Sequence, residues 1–387
     1  MAAGLSGATL LNVGIVLGAS FIVGELFERI GLESILGYIL TGLILGPSVL
    51  DVISASSVSG FATIGATLIL FQAGLREQNV KEIFSHKEGL QLGPAILLGG
   101  FAFIFAALYL FGGQYLPYSS LEAFAFIALG YSIVDIGVPS KIMLNRGMLR
   151  QETGKYTIKS SVINVSVGFI ILTIMVILST SGLQSQLVKA ASILGFAGAF
   201  YLLHEFIEII DDYIIMFEEA EAQFAITFAL LLSMSYVTQT IGLSSVLGAF
   251  FAGVLVSRSD FTDSKAFQEK IQGISEGLFI PVFFAWFGLG LILETIILNI
   301  EAATVLFLLS TISKLAIGYI IPKLHEMDNP FTIAASLISL DIETLVVLLI
   351  AIDLGILTEE ILQIFAPSVL FSTLTIVILY MLIDRRG

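Results

Sequence analysis

The chain has no cysteine, few histidines and little charge, and each scarcity removes a class of function. Without cysteine, the protein can form neither disulfides nor thiolate metal sites. Its three histidines, His86, His204 and His325, lie far apart in the sequence, which argues against a histidine metal site. Only 17 residues are Lys or Arg against 31 Asp or Glu, so the net charge of −14 argues against nucleic-acid binding, which requires a basic surface. We therefore expect no structural metal, no cofactor and no nucleic-acid partner.

Apolar residues make up 57% of the 387 residues, and only 12% are charged. Soluble domains carry about 25% charged residues, so this chain could not hide its apolar surface from water. The apolar segments are long enough for helices rather than barrel strands, which predicts an all-α integral membrane protein in the lipid bilayer. No soluble domain is visible, and residues 1–387 are interpreted as a single transmembrane domain. About thirteen spans are predicted, at residues 9–28, 34–50, 58–75, 90–111, 119–138, 159–181, 187–207, 222–240, 244–257, 273–294, 299–321, 331–354 and 360–383.

Basic residues are distributed unevenly around the predicted spans. Fifteen of the 17 follow odd-numbered spans, whereas the opposite loops contain only Lys189, and Lys314 falls inside a span. Cytoplasmic loops of membrane proteins are enriched in Lys and Arg. The pattern predicts a multi-pass protein of the cell membrane, with its N-terminus outside and its C-terminus in the cytoplasm.

An internal repeat relates the two halves of the chain. Residues 30–48 read IGLESILGYILTGLILGPS, and residues 241–259 read IGLSSVLGAFFAGVLVSRS. Eight of the 19 positions are identical, and most of the others exchange one apolar residue for another. These segments are spans 2 and 9, so the two copies have opposite orientations in the membrane. The sequence therefore predicts two inverted six-helix repeats, about 9–181 and 222–383, joined by a linker helix at about 187–207.

Two polar interruptions occupy matching places in the repeats. Residues 131–140 read YSIVDIGVPS, and residues 338–344 read ISLDIET, which places Asp135 opposite Asp341 with an offset of 206 residues. An ionisable residue at membrane depth is costly and by default marks a functional site. Gly137 and Pro139 weaken the helix beside Asp135, which membrane proteins tolerate where the backbone is buried or lines a cavity. Broken helices in inverted repeats are typical of alternating-access transporters.

Several longer motifs have a specific resemblance. The segments ILGYILTGLILGPSVL, TIGATLILFQAGL, IGLSSVLGAFFAGVLVSRS and FIPVFFAWFGLGL resemble the monovalent cation:proton antiporter-2 family, in the right order along the chain. That family contains bacterial and archaeal sodium/proton antiporters and Kef-type potassium efflux systems. The resemblance implies the sodium/proton antiporter fold, with crossed discontinuous helices in a core domain and a separate dimerisation domain. It also implies a homodimer.

Part of the family's site can be transferred to this chain. Lys314 matches the family's span-11 lysine, which pairs with or neutralises a carboxylate in the core. Glu343 falls where the family has the glutamate of an Arg-Gly-Glu or Gly-Gly-Glu motif. Ile342 replaces that motif's glycine, and Asp341 takes the place of its first residue.

Span 6 departs from the family pattern. Where such antiporters carry Asp-Asp, Asn-Asp or Gln-Asp, this chain has Asn164-Val165. The ion-carrying aspartate is therefore a valine, which can hold neither a proton nor a cation. The usual chemistry at this position is excluded.

Other polar groups must then carry the exchange. Sodium and potassium prefer oxygen ligands, and proton exchange requires a carboxylate. We predict that Asp135 replaces the missing aspartate. The complete set of candidates is Asp135, Asn164, Asp341 and Glu343 for ion and proton binding, Lys314 as the charge partner, and Ser132 and Ser166 as neutral ligands.

Three of these residues also have a structural interpretation. Asp135 could cap a half-helix, Lys314 could form a structural ion pair with Glu343 or Asp341, and Asn164 could join two helices by a hydrogen bond. The function predicted is exchange of Na⁺ or K⁺ for protons. The alternatives are transport of an organic or anionic solute by the same fold, and a non-transporting sensor or regulator. An enzyme is not expected, because the sequence has no zinc-protease motif, GxSxG or phosphate loop.

Overall fold

All regular structure in the described part of the chain is helical. The protein is represented by a computed structural model that describes residues 7–29, 34–75, 91–134, 143, 148, 151–179, 187–188, 191–192, 194–196, 198, 200, 220–241, 245–257, 259, 262, 264–340 and 342–384. The α-helices in these ranges are α1 Gly7–Arg29, α2 Ser34–Leu45, α3 Ser59–Leu75, α4 Leu92–Tyr115, α5 Leu121–Ser132, α6 Glu152–Leu178, α7 Ala220–Thr240, α8 Ser245–Val256, α9 Lys265–Ile274, α10 Ile280–Leu289, α11 Leu293–Leu298, α12 Ile300–Leu324, α13 Pro330–Ser336, α14 Ile342–Asp353 and α15 Glu360–Asp384. A short 3₁₀ helix, Ala55–Ser57, precedes α3, and a π-helical turn, Ser275–Phe279, joins α9 to α10.

Length and composition place these helices in a membrane. Seven helical stretches of the described chain are long and apolar enough to cross a bilayer, and they correspond to α1, α4, α6, α7, the run from α9 to α10, α12 and α15. Their exposed side chains include many large apolar residues, such as Leu10, Phe111 and Leu324. The predicted fold class, an all-α integral membrane protein, is confirmed. Predicted span 7 lies mostly outside the described residues.

The broken helices are found where the polar interruptions predicted them. Span 12 is divided, because α13 ends at Ser336 and α14 begins at Ile342. In span 5, α5 ends at Ser132, and Ile133 turns to an extended conformation with φ −69° and ψ 145°. Residues 135–142 lie outside the described residues, as does Asp341.

The chain divides into two compact units that each combine parts of both halves of the sequence. The first unit is residues 1–80 with 176–292, and the second is residues 81–175 with 293–387. Helices α1–α3 and α7–α10 belong to the first unit. Helices α4, α5, α11–α15 and nearly all of α6 belong to the second.

In the first unit, α2 and α10 cross with their backbones in contact. A methyl group added at Gly42 would overlap the carbonyl oxygen of Ala285, and one added at Gly288 would overlap the carbonyl oxygen of Ile39. Only glycine permits so close an approach, which is the usual role of small residues between membrane helices.

The crossing of α8 and α3 repeats this geometry. A methyl group at Gly253 would overlap the Phe71 carbonyl oxygen, and one at Gly74 would overlap the Phe250 carbonyl oxygen. The positions on α2 and α8 differ by 211 residues, and those on α3 and α10 by 214. The second helix of each copy therefore contacts the third helix of the other copy. Such a reciprocal contact is expected when two copies are related by a two-fold axis. The inverted orientation of the two copies in the membrane stays a prediction.

Replacing Gly42 by alanine is expected to lower the melting temperature, since the added methyl group must displace the Ala285 carbonyl. Overpacking of this kind costs about 1–3 kcal/mol in free energy of unfolding. Gly253→Ala is expected to have an effect of similar size, because its contact repeats that of Gly42. The measurement is thermal unfolding in detergent, followed by the fluorescence of Trp286, the single tryptophan. Gly14→Ala is the control, since no atom lies within 4 Å of the added methyl group. Equal destabilisation by all three substitutions would contradict this interpretation.

Candidate functional site

The end of α5 exposes a row of carbonyl groups that the helix itself cannot satisfy. A helix leaves its last carbonyls without intrahelical donors, and the hydrocarbon core of a membrane offers no water in exchange. Four successive carbonyl oxygens at this end each accept a hydrogen bond from a side chain of another helix. The pairs are Gly130 with Thr344 Oγ1 at 2.9 Å, Tyr131 with Ser310 Oγ at 2.6 Å, Ser132 with Asn164 Nδ2 at 3.4 Å, and Ile133 with Lys314 Nζ at 2.6 Å. Helices α6, α12 and α14 thus converge on the break.

Asn164, on α6, binds the two peptide groups on either side of Ile133, where α5 stops. Its Oδ1 accepts a hydrogen bond from the Val134 backbone N–H at 3.0 Å, and its Nδ2 donates to the Ser132 carbonyl. Nδ2 also donates to the Gly93 carbonyl at 3.2 Å, and the side chain is fully buried. An amide nitrogen has two hydrogens, so both are used, and Oδ1 keeps one lone pair. The predicted interhelical hydrogen bond of Asn164 is therefore present.

Lys314, on α12, joins the two broken helices. Its ammonium donates to the Ile133 carbonyl at 2.6 Å and to the Ser339 carbonyl at 3.2 Å, and the side chain is 0% exposed. Ile133 and Ser339 are separated by 206 residues, the offset that relates the two polar interruptions in the sequence. One buried charge thus binds the equivalent carbonyl of each break.

Ser372, on α15, is a residue that the sequence reasoning missed. The Leu340 backbone N–H in the second break donates to Ser372 Oγ at 3.4 Å. Leu340 is the counterpart of Val134 at an offset of 206, and Ser372 is the counterpart of Asn164 at an offset of 208. Each break therefore has its backbone N–H bound by a side chain from the last helix of its own half. The repeat offset gives only the approximate place, since 206 residues beyond Asn164 is Leu370, two residues before Ser372.

Glu343 lies in the first turn of α14, directly after the second break. Its side chain is 9% exposed. The N-terminus of a helix carries partial positive charge, which favours a carboxylate at this position. The adjacent Thr344 binds the Gly130 carbonyl, so this turn of α14 is held against the end of α5.

The two predicted serine ligands have local hydrogen bonds. Ser132 Oγ donates to the carbonyls of Ala128 at 2.7 Å and Leu129 at 2.9 Å, both on its own helix. Ser166 Oγ donates to the Val162 carbonyl at 3.0 Å and lies about 200° around α6 from Asn164. The structure therefore brings Asn164, Lys314 and the Ser132 backbone together and leaves Ser166 on another face. The predicted carboxylates Asp135 and Asp341 lie outside the described residues.

Broken helices in an all-helical membrane protein are typical of secondary transporters. In this chain one buried lysine, Lys314, contacts both breaks. Comparison with known proteins assigns the family. The sequence profile of the family described as "Sodium/hydrogen exchanger, transmembrane" matches residues 16–382. The chain therefore belongs to the sodium/hydrogen exchanger transmembrane family.

Individual relatives resemble the chain over most of its length. "Probable Na(+)/H(+) antiporter GerT" of Bacillus cereus is 24% identical over 351 residues, which cover 89% of this chain and 91% of that protein. "Glutathione-regulated potassium-efflux system protein KefC" of Shigella sonnei is 25% identical over 83% of this chain, but the match spans only 51% of that longer protein. Among solved structures, the sodium proton antiporter MjNhaP1 from Methanocaldococcus jannaschii has a TM-score of 0.70 with 16% identity, covering 95% of both chains. The sodium/proton antiporter fold is thus confirmed.

Asn164→Ala is expected to destabilise the protein, because the buried Val134 N–H loses its acceptor. An unsatisfied buried polar group costs about 1–3 kcal/mol. Ser372→Ala is expected to have a smaller effect in the same direction, since it loses one long hydrogen bond from Leu340 and one to the Val369 carbonyl of its own helix. Thermal unfolding in detergent measures both. Ser161→Ala on the same helix as Asn164 serves as the control, since Ser161 Oγ donates to the Thr157 carbonyl of its own helix. Destabilisation by this variant as large as that of Asn164→Ala would refute the assignment.

Proposed function

We propose that this chain exchanges Na⁺ or K⁺ for protons across the membrane by alternating access. The observation that carries this proposal is the contact of the Lys314 ammonium with one carbonyl from each broken helix, at 2.6 and 3.2 Å. A buried positive charge at this place reduces the cost of bringing carboxylates to the same depth. Family membership supports the same function, since the relatives named above are sodium/proton antiporters and a potassium-efflux protein.

The proposed ion and proton carrier is Asp135. It is joined by one peptide bond to Val134, whose N–H is bound by the buried Asn164 amide. Val165, which takes the place of the family's aspartate, is 4% exposed and offers no ligand. Asp341 and Glu343 are proposed as the carboxylates of the second break, with Asn164 Oδ1 as a neutral ligand. Buried carboxylates that lie close together do not all ionise at once, so protons and cations would compete for them.

The arrangement in the membrane is also part of the proposal. The excess of Lys and Arg after odd-numbered spans supports an outer N-terminus and a cytoplasmic C-terminus. The reciprocal glycine crossings at Gly42 and Gly253 support two related halves within thirteen spans. A homodimer is proposed from the family alone.

Purified protein in vesicles with an acidic interior is expected to release protons when Na⁺, K⁺ or Li⁺ is added outside. The measurement is the recovery of a pH-sensitive dye after each cation, with choline as the cation that cannot be exchanged. A response to one or more alkali cations above the choline background supports antiport. No response to any of them, in either gradient direction, would favour the organic-solute or regulator alternatives.

Asp135→Asn is expected to reduce cation-dependent proton movement to the choline background, because an amide cannot exchange a proton. Asp51→Asn is the matched control. Asp51 is exposed and has φ 50°, a left-handed conformation that asparagine also adopts. Adding Val165→Asp to Asp135→Asn is expected to restore part of the exchange, since it returns a carboxylate to the family's position. Full exchange in Asp135→Asn would overturn the role of this residue.

A further inference from the structure

The buried ammonium of Lys314 binds the two helix breaks unequally. Its Nζ lies 2.6 Å from the carbonyl oxygen of Ile133 in the first break and 3.2 Å from that of Ser339 in the second. Hydrogen bonds from a charged nitrogen are usually about 2.7–2.9 Å long, and they weaken as the distance grows. The carbonyl of the first break is therefore bound more strongly than its counterpart in the second.

The backbone N–H groups of the two breaks show the same inequality. The nitrogen of Val134 lies 3.0 Å from Asn164 Oδ1, whereas the nitrogen of its counterpart Leu340 lies 3.4 Å from Ser372 Oγ. N–H···O hydrogen bonds in proteins are mostly about 2.7–3.2 Å long, so the second contact is longer than the usual range. At both pairs of equivalent positions, the donor and the acceptor lie farther apart in the second break.

The two acceptor side chains also differ in how firmly they are fixed. Asn164 Nδ2 donates to the carbonyls of Gly93 on α4 and Ser132 on α5, so the amide is held from two neighbouring helices. Ser372 Oγ donates to the Val369 carbonyl of its own helix at 2.9 Å. A hydroxyl has one hydrogen, so this bond leaves Ser372 no donor for a second helix. The contact of the first break is therefore reinforced from other helices, and that of the second break is not reinforced in this way.

The helices on either side of the second break are, in contrast, well anchored. At the end of α13, the hydroxyl oxygen of Ser336 lies 2.5 Å from that of Tyr380 on α15. In the first turn of α14, Thr344 Oγ1 donates to the Gly130 carbonyl at 2.9 Å. The link between these two helix ends, residues 337–340, is buried, and each of its residues is at most 1% exposed. The long contacts are thus confined to a short buried link between two fixed helix ends.

We infer that this link is the movable part of the transport site and that Ser372 is the residue that positions it. The inference rests on the proposed function, in which Asp341, the residue directly after Leu340, is one of the carboxylates that bind protons and cations. A site that binds and releases an ion exists in more than one arrangement. The link can rearrange by giving up two long contacts, whereas the first break would lose two short ones. A cation on Asp341 selects the arrangement in which Ser372 holds the Leu340 N–H, and it lowers the population of the others.

Hydrogen–deuterium exchange of the wild-type protein, resolved to single amides, tests the inference. In choline, the protection factor of the Leu340 amide is expected to be about fivefold below that of Val134, a factor that corresponds to one ordinary hydrogen bond. Replacing choline by Na⁺ or K⁺ at constant ionic strength is expected to raise the protection of Leu340 about threefold once the cation reaches about twice its Kd, and to leave Val134 unchanged. Equal protection of the two amides in choline, or lower protection of Val134, would overturn the inference. So would the absence of a cation response at Leu340 in protein that exchanges cations for protons.

Variants of α15 test the positioning role of Ser372. Ser372→Ala is expected to lower the protection of Leu340 about two- to threefold, the factor for a weak hydrogen bond, and Ser372→Thr, which keeps the hydroxyl, is expected to restore it. Thr373→Val is the matched control, because the buried Thr373 hydroxyl donates to the same Val369 carbonyl as Ser372. An equal loss of protection in Thr373→Val, or none in Ser372→Ala, would overturn the role of Ser372.

The proposed function and the inequality of the breaks fail separately. A wild-type protein without cation-dependent proton movement would refute the proposed function and, with it, the role of the link in transport. The comparison of Val134 with Leu340 in choline would still decide which break is held more loosely.

Discussion

The contact of the Lys314 ammonium with the carbonyls of Ile133 and Ser339 is the interaction on which the second unit depends. Breaking two helices inside a membrane leaves backbone groups without partners, and each unsatisfied group costs several kcal/mol, on the order of the whole stability margin of many proteins. A single buried charge meets this demand in both breaks at once. Hydrogen bonds from a charged donor contribute about 1.5–3 kcal/mol each. The hydrogen bonds between them thus offset part of the cost of burying the ammonium and part of the cost of breaking the helices.

The crossings described above differ between the two units, although the second also contains a close glycine contact, Gly93 against the Ser160 carbonyl oxygen. In the first unit, crossings depend on the absence of side chains, because Gly42 and Gly253 lie against neighbouring carbonyls. In the second, crossings depend on polar side chains, and Asn164, Ser310, Thr344 and Lys314 bind the end of α5. The glycine contacts contribute no polar or charged side chain. The polar contacts leave oxygens and charge at membrane depth, which is the chemistry that cation and proton exchange requires.

Much of the fold could be predicted because the membrane imposes a simple constraint. Apolar runs and the positions of Lys and Arg indicated the helices. Carboxylates within two of the spans indicated both interruptions. The partners of the polar groups depend on how helices cross, which a sequence does not state. The two carbonyls that Lys314 binds were not indicated by the sequence, and its predicted pairing with a carboxylate stays a prediction, since Asp135 and Asp341 lie outside the described residues. Ser372 was missed because serine is common in membrane helices, and the repeat offset applied to Asn164 leads to Leu370, two residues away.

The central claim is that one lysine holds both helix breaks, and hydrogen–deuterium exchange of the Lys314→Met variant tests it most directly. Backbone amides exchange faster when the structure around them opens locally. Loss of the ammonium is expected to accelerate exchange in two separate peptides, one containing Ile133 and Val134 and the other containing Ser339 and Leu340. Amides in the first unit, such as those around Gly42, are expected to keep their wild-type rates. Faster exchange at only one break, or at neither, would contradict a shared role for Lys314.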